Sequence, residues 1–471
     1  MQFMESDDLI DSIPKVTFHG AVLTVTGSMH LVEAAGRKIL LDCGLYLGQQ
    51  PELRQRNREF PFTPKDIDAV VISHAHIDHC GNLPNLVRQG FTGPIFCTPA
   101  TRDLLGVMLT DSAKIQRDEK PLVPPPSWSG PLCDLGDVAR TIGHCVPLGY
   151  DEPGRVSPEI EVRLLNAGHI LGSAIVTLGI NTGGKDYRIS FTGDLGRANI
   201  PFLNPPAPIP PSDLLICECT YGGKVHQPLD TLAEQLSDVI DRTVAQDGKV
   251  LIPAFSLGRA QIVVHYLQKW IHEGMIPKLP IYVDSPLVAD IVNVYHQHLD
   301  DVTEDCRAVF EAERQHNSPV RYIRRWEESK RLTDDKTPSI IVASGGMLDA
   351  GRALYHLQQY VEDPRCCLVL VSYQAPGSLG RRLMQKGPTV YFLGKMWNKW
   401  ADAVHLNGFS GHADHNDFLE MLTPLASQTG KVRLVHGEVE PAEILCHALR
   451  QVGFEDVAIP LRDETVLVEK K

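Results

Sequence analysis

The feature that most constrains this chain is the apolar run Ala69-Val70-Val71-Ile72, which leads directly into Ser73-His74-Ala75-His76-Ile77-Asp78-His79. A short β-branched run of this kind predicts a strand buried on both faces. Its end delivers three imidazoles and one carboxylate into a single turn. Imidazole nitrogen and carboxylate oxygen are ligands suited to zinc. The H-x-H-x-D-H spacing lets His74 and His76 point one way, while Asp78 and His79 sit on the following turn and face a second ion. A lone histidine would more simply be a hydrogen-bonded loop residue. Four ligand-type side chains so close together predict a two-metal site.

At 471 residues the chain exceeds one ordinary core, so two domains are expected. Acidic residues outnumber basic ones by 58 to 45, a net charge of -13. Net charge therefore does not point to nucleic acid. It does not exclude it either, because divalent cations in a cleft attract phosphate locally on an otherwise acidic protein. Residues Met1 to Asp8 hold no signal-peptide pattern, and no later run approaches a membrane span. A cytoplasmic protein without a membrane partner is expected. The 11 cysteines include no C-x-x-C pair, so they read as small buried hydrophobes rather than a disulfide framework or a zinc ribbon.

Along the chain, Val16 to Leu41 reads as short strands broken by Gly20, Gly27 and Gly36. The run Lys38 to Leu41 predicts a strand ending at Asp42-Cys43-Gly44, where the acid either caps the turn or braces a metal-ligating histidine. Helices are expected over 82–89 and 101–115, a strand over 94–97, and a surface loop at Pro121 to Pro126. Strands over 160–165 and 187–191 end near His169 and Asp194. The tips of four strands, ending at Asp42, the histidine cluster, His169 and Asp194, are expected along one edge of a sheet. The proline-dense stretch Pro205 to Pro211 reads as a stiff connector. Beyond it, strands over 249–253, 281–283, 338–343 and 367–371 alternate with helices over 257–273, 291–298 and 352–360, the pattern of a second α/β domain with parallel strands. Its cations, Arg321, Arg324, Arg325, Arg381, Arg382, Lys386, Lys395 and Lys399, form either a solvated face or an RNA contact. A further strand ends at His436, which implies that the chain has returned to the first domain and that the second is an insertion.

These motifs, taken in order, resemble the β-CASP group of metallo-β-lactamase-fold nucleases. The resemblance runs through Thr26-Gly27-Ser28, Asp42-Cys43-Gly44-Leu45, the histidine cluster, Gly168-His169-Ile170-Leu171-Gly172-Ser173 and Thr192-Gly193-Asp194. It continues through Glu218 in E-C-T-Y-G, Pro253 to Arg259, Asp284-Ser285-Pro286, Tyr373 to Arg381, Ser410-Gly411-His412-Ala413-Asp414 and His436-Gly437-Glu438. It implies an αββα sandwich with an inserted β-CASP α/β domain, divided as residues 1–222, 223–404 and 405–471. It also implies two Zn2+ ions, which Mn2+ could replace. One would be held by His74, His76 and His169, the other by Asp78, His79 and His436, with Asp194 between them. Asp42 would brace the ligands, and His412, paired with Glu218, would be the catalytic histidine; Asp78 also counts among the catalytic groups. Ser344, Ser378 and Arg381 would hold single-stranded RNA in a groove between the domains. Histidine at position 436 is the RNA-directed form of that motif.

The chemistry implied is hydrolysis of RNA phosphodiester bonds by a two-metal hydroxide, with His412 as general acid, leaving a 5′ phosphate and a 3′ hydroxyl. Cutting is expected to be endonucleolytic, by a free-standing protein for which a homodimer is compatible. Three alternatives are a small-ester or thioester hydrolase, a non-catalytic RNA-processing subunit and a DNA nuclease. Small departures fall on contacts to phosphate rather than on ligands: Cys219 in E-C-T-Y-G, Ser344-Gly345-Gly346-Met347, and Leu47 where glutamine is common.

Overall fold

The computed structural model describes residues 13–48, 50–118, 130–198, 202–314, 318–375 and 377–471. The segment before residue 13, the proline loop expected at Pro121 to Pro126 and Pro376 lie outside them. The chain divides into two compact units. The first comprises residues 1–199, 204–225 and 412–471, and the second 200–203 and 226–411.

The first unit contains strands β1 (Lys15–Phe18), β2 (His30–Ala34), β3 (Arg37–Leu41), β4 (Ala69–Val71), β5 (Ile95–Cys97), β6 (Cys145–Pro147), β7 (Gly154–Ser157), β8 (Ile160–Asn166), β9 (Ala174–Thr182), β10 (Lys185–Phe191) and β11 (Leu214–Glu218). After the second unit come β20 (Lys431–Val435), β21 (Asp456–Ala458) and β22 (Thr465–Leu467). They form two sheets, ordered β22-β1-β2-β3-β4-β5-β6 and β21-β20-β11-β10-β9-β8-β7. Alternate residues of both, among them Val16, Val32, Ile39, Val71, Val162, Val176, Ile189 and Ile216, meet in one apolar core. The period of two along each strand decides this. Ile175, Leu215, Val432 and Leu434 point to the other face of the second sheet, where Phe418, Leu422, Leu445 and Leu449 of the helices His415–Leu422 and Val439–Gln451 cover them.

This corrects two expectations. The four strand tips do not share one sheet: Asp42 and the histidine cluster follow β3 and β4 in the first, while His169 and Asp194 follow β8 and β10 in the second. Nor is the proline-dense stretch a connector. Asn166 Nδ2 donates to the carbonyls of Asn204 and Pro205, and Ala207 N donates to Asn166 O, so the segment is fastened to the exit of β8 inside the first unit.

The second unit is built on β12 (Lys249–Ala254), β13 (Ile281–Asp284), β14 (Val320–Ile323), β15 (Ser339–Ser344), β16 (Cys367–Leu370) and β19 (Asp402–His405), in the order β14-β13-β15-β12-β16-β19. Every pairing in it is parallel. The ribbon β17 (Thr389–Phe392) and β18 (Lys395–Asn398) stands apart as an antiparallel pair. The helix expected over 291–298 instead spans Pro286–Tyr295, because Ser285 accepts Val288 N through its side chain and Pro286 presets the first turn. The expected cationic cluster is also divided: Arg321 and Arg324 belong to the β14 edge, whereas Arg381 and Arg382 lie on the helix Leu379–Met384, which packs on β19 and β17 at the other edge. Among the described residues no helix is long and apolar enough to cross a membrane.

Candidate metal centre

Two glycines let the loops of this centre close on one another. A Cβ on Gly44 would lie 1.6 Å from Asp78 O, and one on Gly196 would lie 1.8 Å from Gly168 O. No other residue fits either crossing.

Asp42 follows β3 in a left-handed conformation, φ +58°, and is fully buried. Its Oδ1 accepts Ser73 N at 2.8 Å. Its Oδ2 accepts Ser28 Oγ at 3.0 Å, Ser73 Oγ at 2.9 Å and His79 Nδ1 at 2.6 Å. With Nδ1 committed to Asp42, His79 turns Nε2 into the centre, where it is buried without a hydrogen-bond partner; burial would lower its pKa, but the carboxylates of Asp194 and Asp42 outweigh that and raise it.

The strand ends bring ligand atoms together in three groups: His74, His76, His169 and Asp194; Asp78, His79 and His436; and Asp194, Glu218 and His412. Within each group the atoms lie within 4.8 Å of one another. In the first group, His76 Nδ1 is 3.0 Å from His74 Nε2 and 3.3 Å from His169 Nε2. Burial lowers the pKa of all three, that of His74 to about 3, so all three are neutral imidazoles with ring nitrogens directed at one point. In the second group, His436 Nε2 is 3.5 Å from Asp78 Oδ2. Burial opposes the charge on Asp78, but the His436 bond and the nearby His79 and His436 outweigh it and hold the carboxyl below its usual range.

Asp194 lies between the two groups. Its Oδ1 is 3.3 Å from His79 Nε2 and 3.4 Å from His436 Nδ1, while its Oδ2 is 3.4 Å from His74 Nε2 and 3.5 Å from His169 Nε2. Oδ1 is buried without a hydrogen bond. Two of these atoms, His79 Nε2 and Asp194 Oδ1, are buried without a hydrogen bond, which costs about 2–7 kcal/mol each unless something binds them. The donor set of five histidines and two aspartates suits divalent cations, so the residues fit two such ions.

The third group has a different character. Glu218, fully buried at the end of β11, already accepts Leu195 N at 2.7 Å on Oε1 and Thr220 N at 3.2 Å on Oε2. His412 Nδ1 lies 3.2 Å from Oε1, and its side chain is 17% exposed. A ring held by Nδ1–H on a carboxylate presents Nε2 outward, an arrangement that suits proton transfer better than a third ion.

Thr220, two residues after Glu218, had no assigned role in the sequence. Its Oγ1 donates to His436 O at 2.9 Å and lies 3.0 Å from His436 Nδ1, which orients a ring whose backbone is held at φ +51°. Ser28 and Ser73 brace Asp42 in the same way. All three lie inside or beside the motifs, yet hydroxyl partners depend on folds far apart in the chain. Ser344 ends β15, Ser378 caps the helix Leu379–Met384 by accepting Arg381 N at 3.2 Å, and Arg381 is exposed on that helix. The loop after Ser344 joins the same helix, through Gly380 N to Met347 O at 3.1 Å and Leu379 N to Asp349 Oδ1 at 2.9 Å.

The fold and this centre define a metal-dependent hydrolase. Residues 24–254 match the metallo-β-lactamase superfamily, 260–383 the β-CASP domain and 401–460 a Zn-dependent metallo-hydrolase RNA specificity domain. The chain is 36% identical over 441 residues to a ribonuclease of Thermus thermophilus, covering 93% of this chain and 96% of that protein. It is 31% identical over 471 residues to the transcription termination factor FttA of Methanosarcina mazei, covering 97% of this chain and 71% of that one. A protein of unknown function from Enterococcus faecalis shares the fold, with a TM-score of 0.54 at 15% identity over 97% of this chain and all of that one. The chain therefore belongs to the β-CASP family of metallo-β-lactamase-fold hydrolases, for which divalent-metal binding is expected.

Proposed function

We propose that this protein is a zinc-dependent ribonuclease that hydrolyses phosphodiester bonds within RNA. The observation that carries the reading is Asp194, whose two oxygens face two separate histidine sets beside the His412–Glu218 pair. The similarity to a ribonuclease supports RNA as the polymer.

In this reading the catalytic domain is residues 1–222 with 405–471, and 223–404 is the inserted β-CASP domain. One Zn2+ would be held by His74, His76, His169 and Asp194, the other by Asp78, His79, His436 and Asp194; Mn2+ has the same ligand preferences. When bound, such a pair supplies a deprotonated water at neutral pH and offsets charge on the phosphoryl oxygens. Asp42 fixes the tautomer of His79, and Thr220 orients His436. Glu218 holds His412 by Nδ1, which leaves Nε2–H placed to be given to the departing ribose 3′ oxygen. The products then carry a 5′ phosphate and a 3′ hydroxyl. Ser344, Ser378 and Arg381 are proposed to hold the strand. Such an enzyme would work in the cytoplasm.

The test is cleavage of RNA labelled at its 5′ end by zinc-loaded wild type, by His412→Ala and by a chelated sample. Internal fragments that vanish in both controls are expected. Mononucleotides alone would change the mode to exonucleolytic, and intact RNA with both metal sites filled would overturn the reading.

A further inference from the structure

The ribbon β17–β18 falls between the residues matched by the β-CASP model, which ends at 383, and those matched by the RNA specificity model, which begins at 401. Its pairing register sets two faces. Val390 and Trp397 lie opposite each other and turn inward with Phe392, into the apolar core of the second unit. The Phe392 and Trp397 rings stack at 5.1 Å. On the other face, Tyr391 pairs with Met396, at 55% and 57% exposed. Leu393 at the turn is 55% exposed, and Trp400 just beyond β18 is 57% exposed. A ribbon that buries one aromatic pair and leaves Tyr391, Met396 and Leu393 in water, with Trp400 exposed just beyond it, has a surface that calls for a ligand.

Charge selects the ligand. Residues 381–400 contain Arg381, Arg382, Lys386, Lys395 and Lys399 and no aspartate or glutamate, in a chain of net charge -13. Three of these cations touch the ribbon or the turn before it: Arg382 Nη1 donates to Tyr391 O at 2.6 Å, Lys399 Nζ donates to Gln385 O at 2.6 Å, and Lys395, opposite Phe392, covers the inward Trp397 ring with its Nζ 3.4 Å from the ring centre. Among the described residues, the one carboxylate bonded to the ribbon comes from outside the segment: Glu362 Oε1 accepts Asn398 N and Nδ2, both at 2.9 Å. Flat aromatic faces interleaved with cations suit stacked bases on a phosphate backbone better than an apolar protein surface.

We propose that the outer face of the β17–β18 ribbon, with Tyr391, Trp400 and the cations around them, is a stacking platform for single-stranded RNA. This rests on the ribonuclease reading and deepens it by assigning a second binding surface for the substrate strand. The helix Leu379–Met384 connects this surface to the first. Ser378 caps its start and Arg382 near its end is bonded to the ribbon, so the two lie about 6 Å apart along its axis.

The experiment measures binding of the metal-loaded protein to a fluorescent, cleavage-resistant phosphorothioate oligouridine of about 20 nucleotides, a length that spans typical single-strand sites. The double variant Tyr391→Ser, Trp400→Ser is expected to raise Kd about 10- to 100-fold. Lys395→Gln with Lys399→Gln should flatten the slope of log Kd against log salt, by about 0.7 for each phosphate that is no longer neutralised. Wild type with 4-thiouridine in the oligomer should crosslink to the peptide carrying Tyr391 or Trp400. Tyr391, Lys395 and Trp400 are exposed and Lys399 is half-buried, and thermal melting checks that each variant folds. An unchanged Kd in the aromatic variant, while wild type still binds and cuts RNA, overturns the platform and leaves the ribonuclease reading intact. Conversion of a dimer to a monomer by the aromatic variant, with RNA affinity unchanged, would make the ribbon an interface between copies and also overturn it. A wild type that neither binds nor cuts RNA removes both.

Discussion

Two buried aspartates end parallel-paired strands in the two units, Asp194 after β10 and Asp284 at the end of β13, and each has histidine beside it. Asp284 is saturated with protons. Its Oδ1 accepts Arg352 Nη1, and its Oδ2 accepts Ser329 Oγ and His356 Nε2, the last at 2.6 Å. Burial would raise its pKa, but these bonds from His356, Ser329 and Arg352 outweigh it and keep the carboxylate ionised. Asp194 instead faces four histidine nitrogens at 3.3 to 3.5 Å, and its Oδ1 has no donor. The difference shows how to separate a cluster that is complete within the chain from one that needs an ion. Both centre on a buried aspartate with histidine beside it; the number of donors already bonded to the carboxylate is what differs.

The strongest way to break this contrast is to remove what is proposed to complete the first cluster. Chelation, or Asp194→Ala, should reduce RNA cleavage to background and leave less than two metal equivalents by mass spectrometry; full activity in a metal-free sample would end the comparison. Next in size, His412→Ala should lower kcat by about 10²- to 10⁴-fold with both metals retained, because it acts on the proton rather than on the ions. Loss of metal in that variant would move His412 into the ligand set. Asp284→Ala should do the reverse: a stability loss of about 3–5 kcal/mol in denaturant unfolding, from stranding half-buried Arg352 and fully buried His356, with metal content unchanged. If it released metal, the two clusters would not be independent. The smallest effect sharpens the picture within the first cluster. Asp42→Asn should weaken metal binding about 10- to 100-fold, since Asn can still accept from Ser73 but no longer anchors His79 with a charge. A titration against a chelating dye reads this directly.

Much of the architecture can be read from pattern. Runs such as Ala69–Ile72 and Ile340–Val342 are short, apolar and β-branched, and such runs become central strands wherever they fall. What pattern cannot show is which sheet a strand joins. β8 and β10 read no differently from β3 and β4, yet they belong to the facing sheet, because partner choice depends on the whole core. The same holds for the prolines from 205 to 211, whose stiffness is local but whose anchor, Asn166, is not. At the candidate site, the ligand-type residues announce themselves by type and proximity to strand ends. Thr220, Ser28 and Ser73 do not, since a hydroxyl carries no signal until its partner is in place. The ribbon is a third case. Tyr391 and Trp397 both read as strand aromatics, and only register decides which of them meets water.

The order in which the chain emerges during synthesis gives His436 a separate significance. It stands 242 residues after Asp194, with the whole of the second unit made in between (436 − 194 = 242). Until β20 has threaded in beside β11, the second histidine set lacks a member and Asp194 Oδ1 lacks one of its two neighbours. A ribosome that stalls or drops off anywhere in that interval releases a chain whose cutting centre is half built. The complete centre can therefore exist only once the strand that follows the whole inserted unit has been made.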